Sequence, residues 1–311
     1  MKFSPLYRFL LFALFFPVLT VFTQENERIP TNWTMGETKK VTIEYKTLIF
    51  EEEELVNTKK SSVNYRLQVI DTSFRTSIVL QKDSLNFKKD TSMENFSQGL
   101  EYFVQVVENK IQSLPYRYII DRSNGTAFTI TNDSIFDQQL DSIIHYTANQ
   151  FEKTQSTAID SNFHSNIKHY LQNSKFAIIN KLISEVNRII APHQFAFNPS
   201  KPIEREEVYY SSSFTEQKVE IPVKNSTTVL EDNGLLRLKQ KTIYDQETLF
   251  NVLKKSEPES FESVAQEEVG FSVKHTATFN RSTNWLIEHT KVETTILPEV
   301  EMKSTEKITF H

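Results

Sequence analysis

The chain has 311 residues, with 35 basic and 40 acidic side chains, five isolated glycines and no cysteine. A mildly acidic chain without basic clusters argues against a nucleic-acid partner. The lack of cysteine excludes disulfides and lipidation of an N-terminal cysteine. Isolated glycines cannot form a P-loop or a dinucleotide-binding turn, so we expect no nucleotide cofactor.

The N-terminal region has the layout of a secretory signal: Lys2 and Arg8 come first, an apolar run follows over residues 9–22, and polar residues resume at Gln24. As a helix this run reaches about 21 Å, less than the roughly 30 Å hydrocarbon core of a membrane. We predict a signal peptide over 1–23, cleaved near Thr23 or Gln24. The alternative is an uncleaved anchor, because Val21-Phe22-Thr23 departs from the small-x-small cleavage pattern. The mature chain is then exported, to the periplasm, the outer-membrane surface or the extracellular space, and no later stretch approaches membrane-spanning length.

The residue pattern in the first part of the mature chain predicts a loose lead-in followed by strands. Residues 24–37 are polar and contain Pro30, which favours an irregular segment. Apolar and polar residues then alternate from Val41 to Ile49, from Val63 to Val69 and over 76–81. Short links between these runs predict an antiparallel meander over 38–82. The acidic run Glu51 to Glu54 predicts a solvated turn, with a cation site as the alternative.

Residues 94–131 predict a helix followed by a hairpin. Apolar residues recur at intervals of three and four from Phe96 to Leu114, and Pro115 ends the pattern. Alternating residues then flank Asn124-Gly125, which is a strong signal for a tight hairpin turn.

A helical insertion is predicted over 134–190, because three amphipathic patterns follow one another there. Residues 191–205 contain Pro192, Pro199 and Pro202 and predict a linker. Strand alternation returns over 206–311, with a turn at Asn233-Gly234 and a short helix that Asp245 can cap.

These elements predict a single α+β domain over 38–311. Its core is one large curved antiparallel sheet, similar to a half-barrel, with amphipathic helices and the helical insertion packed on one face. Strands and helices do not alternate one for one, so a parallel nucleotide-binding sheet is not expected.

The sequence carries no catalytic signature: serine-nucleophile and zinc-protease motifs are absent, and we expect no catalytic residues. His164 and His169 lie five residues apart, which takes them off a shared helix face. If Phe279 pairs with Trp285 across the turn, His275 lies directly opposite His289. Such a pair can bind a metal or respond to pH. The competing interpretation is that both are ordinary strand residues, and we favour it.

Two segments resemble a group of uncharacterised exported proteins of Gram-negative bacteria. They are the hairpin Tyr118-Ile119-Ile120-Asp121-Arg122-Ser123-Asn124-Gly125 and the C-terminal pair GFSVKHTATFNRSTNWLIEHTKVETT over 270–295. The chain lacks the Gly-Asp-x-Trp segment often found midway in such proteins. More distantly, the expected layout is similar to periplasmic lipoprotein-carrier and lipid-binding half-barrels. The resemblance implies no catalytic residues.

The aromatic-rich alternation beside amphipathic helices leads to three hypotheses of function. The first is an exported, non-enzymatic protein that binds an apolar or lipid-like small molecule. The second is a structural or interaction protein that docks to a partner in the cell envelope. The third is a hydrolase whose site no known motif reveals, which a cluster of histidines and carboxylates in one cleft would favour.

Overall fold

The computed structural model describes residues 26–73, 75–83, 96–122, 125–155, 161–211, 219–256, 258, 261–262 and 264–311. The predicted signal segment and the turn residues Ser123 and Asn124 lie outside them. Within the described residues, eleven strands form one antiparallel sheet accompanied by four α-helices. The fold is therefore α+β, as predicted. The sheet is open and not closed into a barrel, consistent with the expected half-barrel.

The elements in chain order are β1 (Thr38–Glu51), β2 (Glu54–Asp71), β3 (Thr76–Lys82), α1 (Phe96–Gln112), β4 (Tyr116–Ile120), β5 (Ala127–Ile130), α2 (Ser134–Gln155), α3 (Ser161–Ile190), β6 (Ile203–Ser211), β7 (Val219–Asp232), β8 (Leu235–Tyr244), α4 (Gln246–Ser256), β9 (Gly270–Asn280), β10 (Leu286–Leu297) and β11 (Val300–Phe310). Across the sheet the order is β5-β4-β3-β2-β1-β11-β10-β9-β8-β7-β6. Two meanders therefore meet where the first strand pairs with the last, with Val41 opposite Phe310 and Glu51 opposite Val300.

Helix ends and turns follow local sequence signals in several places. The Asp245 carboxylate accepts a hydrogen bond from the backbone N–H of Thr248 at 2.8 Å, so it caps α4 as predicted. Asn233 and Gly234 both have positive φ, at 50° and 74°, which suits the tight turn between β7 and β8. The predicted hairpin at these residues is confirmed.

The β1–β2 turn uses the same backbone conformation with less suitable residues. Glu52 and Glu53 have φ of 47° and 68°, in the left-handed region that favours Asn and Gly. The predicted acidic turn is therefore present, at a conformational cost.

Replacing Glu52-Glu53 by Asn-Gly should stabilise the chain by roughly 1 kcal/mol, because Asn and Gly tolerate positive φ and match this hairpin turn. Urea denaturation of the wild type and the double variant measures the change. The reverse exchange, Asn233-Gly234 to Glu-Glu, is the control and should destabilise by a similar amount. An unchanged or lower stability of the Asn-Gly variant would contradict this account.

One face of the sheet carries the buried side chains, and we call it the covered face. The larger hydrophobic cluster joins α1, α2 and α3 to the middle and the β5 end of the sheet, with Phe103, Leu140 and Leu182 among its members. A smaller cluster joins α4 to β7 and β9 through Ile221, Leu249 and nearby residues. The other face, which we call the open face, alternates with the first along every strand.

The helical insertion contains two helices, not three. The second and third predicted patterns form one continuous helix, α3, because Gln172-Asn173-Ser174 between them contains no glycine or proline to end it. About one turn of polar residues, Gln172 to Lys175, interrupts the apolar pattern there without ending the helix.

Two segments predicted to be irregular are packed into the body of the fold. In the lead-in, Ile29 and Trp33 are buried, and Glu27 bridges Phe197 in antiparallel pairing. The prediction of a loose segment over 24–37 is therefore wrong for its described part. The predicted linker 191–205 is also wrong, since His193 and Phe197 are buried and β6 already starts at Ile203. In both segments, buried apolar residues such as Ile29 and Phe197 hold the chain against the fold. They stand among polar residues at irregular intervals, so they produce neither a strand nor a helix pattern.

Candidate binding cleft

The covered face is not uniformly apolar. Strand register places two rows of mainly polar side chains across it, between the two hydrophobic clusters. The first row runs across β1, β11, β10, β9, β8 and β7 as Tyr45, Glu306, Lys291, His275, Gln240 and Thr227. The second row runs across the same strands as Thr47, Ser304, Glu293, Val273, Thr242 and Asn225. We call these two rows the polar belt.

A cleft of about 250 Å³ opens in the polar belt. Its lining residues are Tyr45, Thr47, Lys291, Glu293, Ser304, Thr305 and Glu306. They come from β1, β10 and β11: β10 and β11 are consecutive antiparallel strands, and β1 joins them because the first strand of the sheet pairs with the last.

Helix α3 supplies the charged groups at one side of the cleft. The Arg188 guanidinium lies 3.6 Å from Glu306 and 3.5 Å from Glu185. Glu185 in turn accepts a hydrogen bond from the Tyr65 hydroxyl on β2. Within the cleft, Lys291 Nζ lies 2.6 Å from a carboxylate oxygen of Glu293. Each cation near the cleft therefore already faces a carboxylate.

Burial shifts the protonation equilibria of the cleft toward neutral forms. Desolvation raises the pKa of Tyr45 to about 12, so its hydroxyl stays protonated and can donate a hydrogen bond. Desolvation also raises the pKa of Glu306 above its ordinary value, with Arg188 acting in the opposite direction. The cleft can thus offer a neutral hydroxyl donor next to carboxylate acceptors.

The predicted histidine pair meets, but in a different register from the expected one. His275 lies opposite Lys291, and His289 lies opposite Ala277, so the prediction of a directly opposed pair is wrong. The two rings are instead diagonal neighbours on the covered face and stack at 4°. His275 Nδ1 and His289 Nε2 are 3.0 Å apart, a hydrogen-bond distance that requires one nitrogen to carry the proton.

Both imidazoles are held neutral by burial. Desolvation is the largest cause that lowers the pKa of His275 to about 4 and that of His289 to about 3, with Lys291 adding to both shifts. The Phe195 ring contacts both imidazoles edge-on, at centroid distances of 5.1 and 6.1 Å. His289 Nδ1 is buried without a hydrogen-bond partner.

Metal binding by this pair stays a prediction. Two imidazoles are short of the four ligands of a structural zinc site. Among the described residues there is no group of three or more His, Cys, Asp or Glu side chains placed to hold a metal ion. His164 does not meet His169 but contacts His145 of α2, with ring centroids 5.1 Å apart.

Sequence reasoning missed the charged residues of the cleft. The sequence patterns did not identify Glu306, Lys291 or Arg188, because strand register and helix packing are what bring them together. One signal was available: Ser304 and Glu306 share the alternating set of the apolar Ile308 on β11, and Lys291 and Glu293 share that of His289 on β10.

Comparisons with known proteins identify no family for this chain. No protein-family profile matches the chain, and no curated protein matches it. A solved structure of lipovitellin, which concerns lipid–protein interactions in that protein, is similar to this chain with a TM-score of 0.41 and 9% sequence identity. The match covers 90% of this chain, which spans only 25% of the lipovitellin chain.

The resemblance to envelope proteins of Gram-negative bacteria stays a prediction. In the described part of the chain, no helix has the length and hydrophobicity needed to cross a membrane.

Proposed function

We propose that this chain is an exported, non-enzymatic protein that binds a small amphipathic, lipid-like molecule on the covered face of its sheet. The observation that carries the proposal is a partly exposed apolar row directly beside the polar cleft. Polar and apolar surfaces side by side on a sheet face match a molecule that has a polar head and an apolar tail.

The apolar row is the next one along the strands from the polar belt. It runs across β1, β11, β10, β9, β8 and β7 as Ile49, Met302, Thr295, Phe271, Tyr244 and Val223, and it is apolar except for Thr295. Ile49, Phe271 and Tyr244 are only half-buried, and Met302 is 37% exposed. This stretch of the covered face therefore keeps apolar area that a ligand can remove from water.

The charge balance of the cleft favours one kind of head group. Glu185, Glu293 and Glu306 outnumber Arg188 and Lys291, and both cations are already engaged by carboxylates. An anionic head would have to displace one of these pairs. A hydroxyl-bearing or amine-bearing head can instead bond to the carboxylates and to the Tyr45 hydroxyl.

The direct experiment is to purify the chain from its native host, extract it with organic solvent and identify co-purified molecules by mass spectrometry. A stoichiometric lipid with an uncharged or amine head would support the proposal. A protein that carries no small molecule and binds none of a panel of monoacylglycerols, long-chain amines and fatty acids would contradict it. An envelope protein recovered in place of a lipid would favour the interaction-protein hypothesis.

Met302→Glu should weaken monoacylglycerol binding by about tenfold or more, because it places a carboxylate where apolar area would be buried. The matched control is Ile296→Glu on the neighbouring strand. Ile296 is similarly exposed, at 43% against 37% for Met302, but it lies on the open face. Isothermal titration of both variants measures the difference, and an equal loss of affinity in both would contradict binding on the covered face.

A further inference from the structure

The two edge strands of the described sheet are protected very differently. At one edge, β5 has four residues, and Asn187 of α3 bonds its backbone. The Asn187 side-chain oxygen accepts from Ala127 N–H at 2.7 Å, and its nitrogen donates to the Ala127 carbonyl at 2.8 Å. A side-chain amide there takes the place that another strand would occupy, which is one way in which proteins block edge pairing.

At the other edge, β6 has nine residues and pairs in unbroken register with β7. No other described strand pairs with its far side. Residues 204–209 are exposed in an unbroken run, so both faces of the strand are open to solvent, and Val208 and Tyr209 are 47% and 45% exposed. A long, regular edge without a bulge or an internal proline is a template for strand addition.

The side chains of β6 select among possible partners by charge. Glu204, Glu206 and Glu207 outnumber the single basic residue Arg205. In the full-length antiparallel register of two β6 strands, Glu207 would face its own copy, and like charges directly opposite destabilise a pair. This register is therefore unfavourable for self-pairing. The carboxylates outnumber the cations even though Lys224 of β7 lies 3.7 Å from Glu206, so the edge is complementary to a basic strand.

We propose that β6 is a docking edge to which an extended, lysine- or arginine-rich segment of a partner protein adds as a further strand. The partner's backbone supplies the ladder hydrogen bonds, which do not depend on its sequence. Its basic side chains face Glu204, Glu206 and Glu207 and supply the selectivity. This site is separate from the cleft, so it stands whether or not the cleft binds a lipid.

The test uses the full chain and two synthetic peptides of valine and threonine that differ only in charge. In one, lysines are placed to face the three glutamates in antiparallel register, and in the other, glutamates take the same places. The lysine peptide should slow amide hydrogen exchange in β6, and it should bind at least about tenfold more tightly than the glutamate peptide. Exchange elsewhere in the sheet, including β5, should not change.

A charge-reversed chain, E204K/E206K/E207K, separates recognition from folding. It should prefer the glutamate peptide by a similar factor, a gain that a misfolded variant cannot show. Binding of both peptides by both chains with equal affinity would overturn the proposal, and so would binding of neither peptide by the wild-type chain. A concentration-dependent dimer that protects β6 without any peptide would also overturn it, since the occupant would then be a second copy.

Discussion

Acidification from about pH 6.5 to about pH 4 should destabilise the folded chain by several kcal/mol, because three imidazoles, two of them buried and one partly buried, are neutral in the fold and take up protons on unfolding. His193, His275 and His289 are the three residues. Burial lowers the pKa of His193 to about 4, and its backbone contact with the Ile29 carbonyl at 3.1 Å only partly opposes this. In the unfolded chain each ring titrates near the ordinary histidine value of about 6.5.

The direction follows from proton counting. Between pH 6.5 and 4 the unfolded state binds more protons than the folded state, so the free energy of unfolding falls as the pH falls. Each histidine contributes up to about 1.4 kcal/mol per pH unit in this window. Glu306 acts in the opposite direction, since its pKa is raised in the fold and proton uptake there favours the folded state. That opposing contribution comes from one carboxyl group, whereas three imidazoles act in the other direction, so the net effect of acidification is a loss of stability.

Urea denaturation at a series of pH values measures the effect. The double variant H275Q/H289Q should lose most of the pH dependence between 6.5 and about 5, whatever its stability at neutral pH. The control is His169→Gln, at an exposed position on α3. An unchanged pH slope in the double variant would show that the stacked pair does not stay neutral in the fold.

The histidine pair also shows what strand patterns can and cannot predict. Alternation correctly placed both histidines on the same face of neighbouring strands. Phe279 pairs with Leu286 and not with Trp285, which moves the register by one residue, and a bulge between Leu286 and Glu288 moves it by one more. A shift of two residues preserves the face of every side chain, so the imidazoles still meet diagonally. A shift of one would have separated them.

The cleft was harder to predict than the sheet. Meanders, caps and the Asn233-Gly234 turn depend on nearby residues, and the sequence predicts them well. The cleft depends on the pairing of β1 with β11 and on the position of α3 above them. Arg188, Glu306 and Tyr45 are far apart in the chain, and no local pattern encodes their contact. The same holds for Ile29 and Trp33, whose burial requires a surface made by distant elements.

Gly125→Ala should be among the most damaging small substitutions in the chain, with a cost of roughly 2–5 kcal/mol. Gly125 has φ of +64°, which penalises any side chain by about 1–2 kcal/mol. A Cβ at this position would also lie 2.7 Å from the Cβ of the buried His193, closer than two such carbons can approach. The hairpin is held there by the Gly125 N–H, which donates to the Asp121 carbonyl at 2.8 Å.

Gly234→Ala separates the two causes. Gly234 also has positive φ, at +74°, but a Cβ there would meet no atom within 4 Å, so this variant incurs only the backbone cost. The excess loss in Gly125→Ala, measured by urea denaturation of both, therefore reports the contact with His193. Equal losses would mean that the hairpin moves aside freely. Because the clash is with the Cβ, His193→Ala should not relieve it and His193→Gly should. The double-variant cycle of Gly125→Ala with each of these two substitutions thus tests whether this single carbon fixes how closely the hairpin approaches the segment after α3.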